Sequence, residues 1–152
     1  MRSGVDLVVA RAAPHEIADC LAIRRAVFIE EQGVPKALEV DGLDGEAVHY
    51  LARLDGTPVA TGRVRVVDGV AKVQRVAKVQ RVAVLAAHRA TGAGAALMHA
   101  IMAEHSALTL GSQESAIGFY ERLGFRTVGE PFLDAGIVHR TMVWERAGKR
   151  DL

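Results

Sequence analysis

Residues 82–102, Val-Ala-Val-Leu-Ala-Ala-His-Arg-Ala-Thr-Gly-Ala-Gly-Ala-Ala-Leu-Met-His-Ala-Ile-Met, constrain the fold more than any other stretch of the chain. A short β-branched run passes into a glycine-containing turn, and Leu97, Met98, Ile101 and Met102 then recur at helical spacing. The pattern predicts a strand, a turn and a helix. The first amides of a helix have no internal partner, and small residues at Ala90, Gly92, Ala93 and Gly94 let a phosphate come close to them. Arg89 adds a fixed positive charge with several donors at the same place. An ordinary glycine-containing helix start fits the same string, so the turn alone leaves both readings open.

Two other phosphate motifs do not fit. The P-loop needs Gly-Lys-Ser or Gly-Lys-Thr after a first glycine and four residues, and no such string occurs. The dinucleotide fingerprint wants a third small residue where Leu97 stands, and the chain has few of the alternating units of a doubly wound sheet.

A chain of 152 residues, half of them hydrophobic, fits one domain with a proper core and no need of disulfide or metal staples. Nineteen basic residues against eighteen acidic ones leave a net charge of +1, which gives no footprint for nucleic acid or for an anionic membrane. The single cysteine, Cys20, excludes an intrachain disulfide and reads as a small buried apolar residue. The first residues lack the long apolar run of a signal peptide, and the expected location is cytoplasmic. The six histidines are scattered without zinc spacing, so no metal is expected.

Taken in order, Val5, Leu7 and Val9 alternate in a short first strand, and Pro14 stands where a first helical position is favourable. Ile17, Cys20, Leu21, Val27 and Phe28 follow at helical spacing until Gly33 and Pro35 end the helix. Residues 30–46 read as an acidic loop with Glu30, Glu31, Glu39, Asp41, Asp44 and Glu46. A solvated loop is the plain reading; beside a cleft, such a cluster would attract a cationic amine. Residues 47–54 form a strand, Asp55-Gly56 a tight turn, and residues 58–67 the next strand, which ends at Asp68-Gly69. After the helix that opens at Arg89, residues 107–112 give a strand. Ile117, Tyr120 and Leu123 share a helix face ended by Gly124, and residues 125–128 and 137–144 close the sheet. Residues 147–152 read as a tail. The order of elements argues for a mixed α/β fold, a mainly antiparallel central sheet flanked by helices.

Between the second Asp-Gly and the glycine turn lies a tandem duplication at 70–81, Val-Ala-Lys-Val-Gln-Arg twice. Two copies are too few for a solenoid, and they read as one copy inserted in the fourth strand. Six is even, so either copy presents the same side chains to the same face. The expectation is that the second copy pairs in the core and the first lengthens the hairpin after Val67. The alternative pairs the first copy and forces a bulge near Gln80. An overlong hairpin can also pair with a second copy of the chain and give a homodimer.

These features together resemble the GCN5-related N-acetyltransferase (GNAT) superfamily. Arg89-Ala90-Thr91-Gly92-Ala93-Gly94 is similar to its pyrophosphate signature, Arg or Gln, two residues, Gly, one residue, Gly or Ala. Gln-Glu-Ser-Ala-Ile-Gly-Phe-Tyr-Glu-Arg-Leu-Gly-Phe at 113–125 is similar to its fourth-helix segment. Residues 27–35, the spacing of Glu39, Asp41, Asp44 and His49, and Ala-Gly-Ile-Val-His at 135–139 resemble a bacterial subgroup whose acceptors are mostly unassigned. The resemblance implies one GNAT-like domain over 1–146 with acetyl-CoA as cosubstrate. The backbone of Val82, Ala83 and Val84 would pair with the pantetheine arm, and Arg89 with the amides of Ala90, Thr91, Gly92, Ala93, Gly94 and Ala95 would hold the pyrophosphate. Gln113 and Phe119 join this cofactor-binding set. Two departures are visible: Ala90 stands where many relatives have Gly, and the duplication lies on the strand that must pair with the cofactor.

A thioester is already activated, so such a protein mainly aligns a neutral amine, stabilises the oxyanion and helps the thiolate leave. By resemblance Tyr120 donates a proton to the sulfur, although its spacing alone would assign it to the core. His49 and Glu31 rank equally as the base that takes the amine proton. The expected function is transfer of an acetyl group to a primary amine of a small molecule or protein. The competing readings are a noncatalytic acyl-CoA-binding module and a GNAT fold whose site the duplication disturbs.

Overall fold

The structure, a computed structural model, describes residues 6–68 and 75–147. It contains seven strands, β1 (Leu7–Arg11), β2 (Val48–Leu54), β3 (Thr57–Asp68), β4 (Arg75–Val84), β5 (Ala107–Gln113), β6 (Arg126–Asp134) and β7 (Ile137–Glu145). Four α-helices accompany them, α1 (Ile17–Arg24), α2 (Lys36–Glu39), α3 (Ala93–Ala103) and α4 (Ile117–Arg122). The strand order is β1-β2-β3-β4-β5-β7-β6. Among the strand pairings described, β4 with β5 is parallel and β1–β2, β2–β3, β5–β7 and β6–β7 are antiparallel, so the expected mixed, mainly antiparallel α/β sheet is what the chain forms. The chain divides into two compact units, Met1–Val64 with Arg81–Ile101, and Arg65–Gln80 with Met102–Leu152.

In the first unit β1 and β2 run antiparallel from Leu7 opposite Leu54 to Arg11 opposite Tyr50. The Asp55-Gly56 turn joins β2 to β3, both residues adopting positive φ (50° and 86°) as the short hairpin requires. Two apolar clusters hold the end of β4. Ala83 packs with Cys20, Ile23 and Val27 and with Leu51. Val84 packs against Ala52, Val59, Ala60 and Ala93. Successive strand residues thus meet opposite faces. A close approach at Gly62 seats α3: a Cβ there would lie 3.4 Å from Leu97 and from Val82 and 3.6 Å from Ile101.

Two local departures shape this unit. The first helix does not continue as α-helix to Gly33: Arg25–Glu31 is a π-helix, a wider spiral frequent at functional sites, and it changes the face that Glu30 and Glu31 present. The helix after β4 opens at Ala93, not at Arg89. A 3₁₀ turn at Ala86–His88 comes first, and Ala90 (φ 72°) and Gly92 (φ 87°) are left-handed, which a right-handed helix cannot include.

In the second unit the second hexapeptide copy supplies the pairing of β4 with β5, Lys78 opposite Thr109 and Val79 opposite Leu110. The first copy, Arg75 apart, lies outside the described residues, as do 148–152 of the expected tail. β5 and β7 pair from Ala107 opposite Glu145 to Gln113 opposite His139. β6 runs on to Asp134, well past the expected end at residue 128, because Ala135-Gly136 (φ 52° and 79°) makes a two-residue hairpin turn. Gly129 at φ 75° lies in the register shift between Val128 and Phe132 that this extension carries.

Candidate active site

The turn that follows β4 is built by its own residues. The amide of Leu85 donates to the Val59 carbonyl (2.9 Å) and releases the chain from the sheet. The Thr91 hydroxyl closes on the His88 carbonyl at 2.6 Å. The left-handed residues Ala90 and Gly92 then reverse the backbone, and the amide of Ala96 donates to the Gly92 carbonyl (2.9 Å) as α3 begins. The amides of Ala93, Gly94 and Ala95 stand ahead of the helix's own ladder. Beside Gly92 there is open space within 4 Å of the place a Cβ would take, so an anion can approach the backbone closely. Ala90 adopts a conformation that glycine takes without strain, which is the physical content of its departure from the usual residue.

Arg89 does not lie over this turn. Its two terminal nitrogens donate to both carboxylate oxygens of Glu31 at 2.6 and 2.7 Å, and its Nε donates to the Val84 carbonyl at 3.1 Å. The pair is half exposed at the surface. Hydrogen bonding from Arg89 lowers the Glu31 carboxyl below its ordinary value, and the same bond raises the Arg89 guanidinium. Glu31 also lines a cleft of about 400 Å³ with Ala26, Val27, Glu30, Leu85 and Ala86. Its walls are mainly apolar, and its two carboxylates come from the end of the π-helix. The cavity, the Glu31–Arg89 pair, the strand end and the turn all belong to the first unit.

From Glu39 to Asp44 the acidic segment is neither a solvated loop nor an amine-attracting cluster, whereas Glu30 and Glu31 are exposed and line the cleft. Arg24, almost fully buried, donates to Glu39 at 2.8 Å and to Asp44 at 2.6 Å. Arg63, equally buried, reaches Asp41 at 2.6 Å and Asp44 at 2.8 Å. Arg81 joins Glu39 at 3.1 Å and Asp41 at 3.2 Å, held in place by a left-handed backbone (φ 57°) within β4. Glu39, Asp41 and Asp44 are therefore neutralised from inside. The Arg63 hydrogen bond holds the Asp41 carboxyl far below the carboxylate range; burial raises Asp44, but bonds from Arg24 and Arg63 outweigh it and leave it lowered.

His49, on β2, sits beside this network. Its Nε2 lies 3.0 Å from the Asp44 carbonyl, which can only accept, so Nε2 carries the proton. The other nitrogen, Nδ1, is buried and has no hydrogen-bond partner among the described residues. The second unit holds the remaining expected residues. Gln113 ends β5, and the Ser112 hydroxyl donates to its carbonyl at 2.8 Å. Tyr120 on α4 is buried, edge-on to Phe119 at 5.0 Å and to Phe125 at 5.7 Å. Burial raises its phenol above the ordinary value, so the hydroxyl keeps its proton across neutral pH.

The sequence reading missed Arg24, Arg63 and Arg81, and with them the fate of the acidic segment. A signal existed: Arg63 follows Gly62 within an apolar strand, and Arg24 stands on the helix that presents Cys20, Ile23 and Val27, where an unpaired charge would be costly. It missed Ala26, Leu85 and Ala86 as cleft walls, because their type carries no chemical signal.

Residues 12–146 match the family model described as an acetyltransferase (GNAT) domain. The uncharacterized N-acetyltransferase YjcF of Bacillus subtilis (strain 168) is 35% identical over 134 residues, covering 84% of this chain and 91% of that protein. The crystal structure of Escherichia coli ElaA is 26% identical, with coverage of 93% and 99% and a TM-score of 0.76. An acyl-CoA N-acyltransferase from Pseudomonas aeruginosa is 28% identical, with the same coverage and a TM-score of 0.74.

Proposed function

The chain belongs to the GNAT family of acetyltransferases, and from that premise we propose that it moves the acetyl group of acetyl-CoA to a primary amine by direct attack on the thioester. The observation that carries this reading is the strand-to-helix turn, where left-handed Ala90 and Gly92 lead into the unpaired amides that open α3, with open space beside Gly92. Unpaired amides with open space beside them suit the charge of a pyrophosphate.

The roles are those that the family resemblance implies. Val82, Ala83 and Val84 offer the end of β4 to the pantetheine arm, and Arg89 with the amides of 90–95 holds the diphosphate. Gln113 and Phe119 complete the cofactor-binding set. Tyr120, protonated at neutral pH, gives its proton to the departing sulfur. Of the two candidate bases, Glu31 is the better placed: it lines the cleft, whereas the bare nitrogen of His49 is sealed from solvent. The acceptor is a primary amine of a small molecule or a protein, and the apolar walls of the cleft suit its carbon chain.

Calorimetric titration with acetyl-CoA tests the reading without the acceptor. The expected result is saturable binding, one site per chain, lost when Gly92 is replaced by a β-branched residue that cannot take its left-handed backbone. Failure of the folded protein to bind acetyl-CoA overturns it.

A further inference from the structure

We infer that Glu31 is an internal competitor for Arg89, and that acyl-CoA binding proceeds by an exchange of ion pairs in which the diphosphate replaces the Glu31 carboxylate. The inference rests on the acyl-CoA reading above and goes beyond it. Arg89 is the one charged side chain within the turn from 89 to 95. Its three nitrogens are spent elsewhere: two on Glu31 and one on the Val84 carbonyl.

Both partners matter to a bound acyl-CoA. The Val84 carbonyl lies on the stretch that offers backbone groups to the pantetheine arm, and Glu31 faces the cleft beside it. While Arg89 stays where it is, the diphosphate lacks its guanidinium, one strand-end acceptor is occupied and the cleft carboxylate is neutralised. An exposed bidentate pair of this kind is strong in geometry and weak in net free energy, so a diphosphate with more negative charge displaces it readily. No covalent step is involved, only a change of partner.

The exchange has a consequence for order. Once Arg89 turns to the diphosphate, Glu31 becomes an unpaired carboxylate on the wall of the cleft, and its proton affinity rises back toward the ordinary carboxylate value. It is then able to hold a primary ammonium and to take up its proton. Acceptor binding is favoured after acyl-CoA, and by linkage a bound cationic acceptor favours acyl-CoA by the same factor.

The test compares the wild-type chain, Glu31→Gln and Glu30→Gln in titrations with acetyl-CoA and with inorganic pyrophosphate at low ionic strength. The second variant removes the same charge from the neighbouring residue, which pairs with Arg25 and not with Arg89. Glu31→Gln is expected to bind both probes about two- to fivefold more tightly than wild type, the scale of an exposed ion pair, and Glu30→Gln to bind them as wild type does. Carbon-13 titration of the Glu31 carboxyl is expected to show a midpoint below the ordinary value in the free protein and a higher one in the acetyl-CoA complex. Equal or weaker binding by Glu31→Gln, or a midpoint that acetyl-CoA leaves unmoved, overturns the exchange while the acyl-CoA reading stands. Absence of acetyl-CoA binding in all three proteins overturns both.

Discussion

At the scale of single residues, Tyr120 is held by packing, and its proposed role as the acid can be tested without disturbing that packing. Its ring is fixed edge-on between Phe119 and Phe125, and no hydrogen bond from its hydroxyl is found among the described residues. Tyr120→Phe keeps the ring contacts and removes only the oxygen, so thermal stability should change little. If the hydroxyl is the acid that protonates the sulfur, kcat falls by about 10²-fold while binding of acetyl-CoA stays near the wild-type value. Steady-state kinetics with a productive amine, set beside calorimetry, separates the two; an unchanged kcat removes Tyr120 from the chemistry. The position of Tyr120 on one helix face with Ile117 was readable from spacing, since the period of 3.6 is a local property. The partner of Glu31 was not, because it stands 58 residues away and an ion pair leaves no mark on either local pattern.

At the scale of elements, the short stretch from α2 to β2 is held by arginines from three different places, Arg24 of α1, Arg63 of β3 and Arg81 of β4. Sequence made the acids look like a loop because acids and glycines alternate there; buried guanidinium groups turned them into a structural network. Asp41 is its most strongly shifted member, with its folded-state pKa depressed chiefly by the Arg63 hydrogen bond. A depressed carboxylate pKa adds stability that is fully present above the unfolded value of about 3.9 and is lost as pH falls from there toward the folded value. Asp41→Asn is therefore expected to cost about 1–3 kcal/mol at neutral pH, because it deprives nearly buried Arg63 of a charge-assisted partner. The difference from wild type should hold from pH 5 to pH 8 on the scale of that carboxylate, and shrink below about pH 4. Urea unfolding at pH 7 and pH 3 measures it, and a gap as wide at pH 3 as at pH 7 contradicts the network as the source. The same scale explains what was legible: hairpin turns such as Asp55-Gly56 announce themselves locally, while the π-helix at Arg25–Glu31 follows from packing that no spacing rule encodes.

At the scale of the whole molecule, the order of strands and helices was legible because each crossing from one element to the next carries its own turn chemistry, and β4 and β5, whose described pairing is parallel, are bridged by α3. The duplication is the exception, since two identical hexapeptides offer two equivalent ways to fill one strand. Deletion of either copy yields the same shortened chain. In that chain a Val-Ala-Lys-Val-Gln-Arg segment still precedes Val82, and the even length keeps every side chain on its face. The arginine before Val82 remains available to Glu39 and Asp41, as Arg81 is here. Asp68-Gly69 then leads straight into the fourth strand, a dipeptide suited to a two-residue hairpin turn, and a shorter connection lowers the entropy cost of closing it. The shortened chain is therefore expected to fold, to melt at or above the wild-type temperature and to bind acetyl-CoA with wild-type affinity. Calorimetric melting and titration on the two chains decide it. A shortened chain that folds but no longer binds would mean that the site depends on the extra copy, and that the duplication is part of the function and not an insertion the fold accommodates.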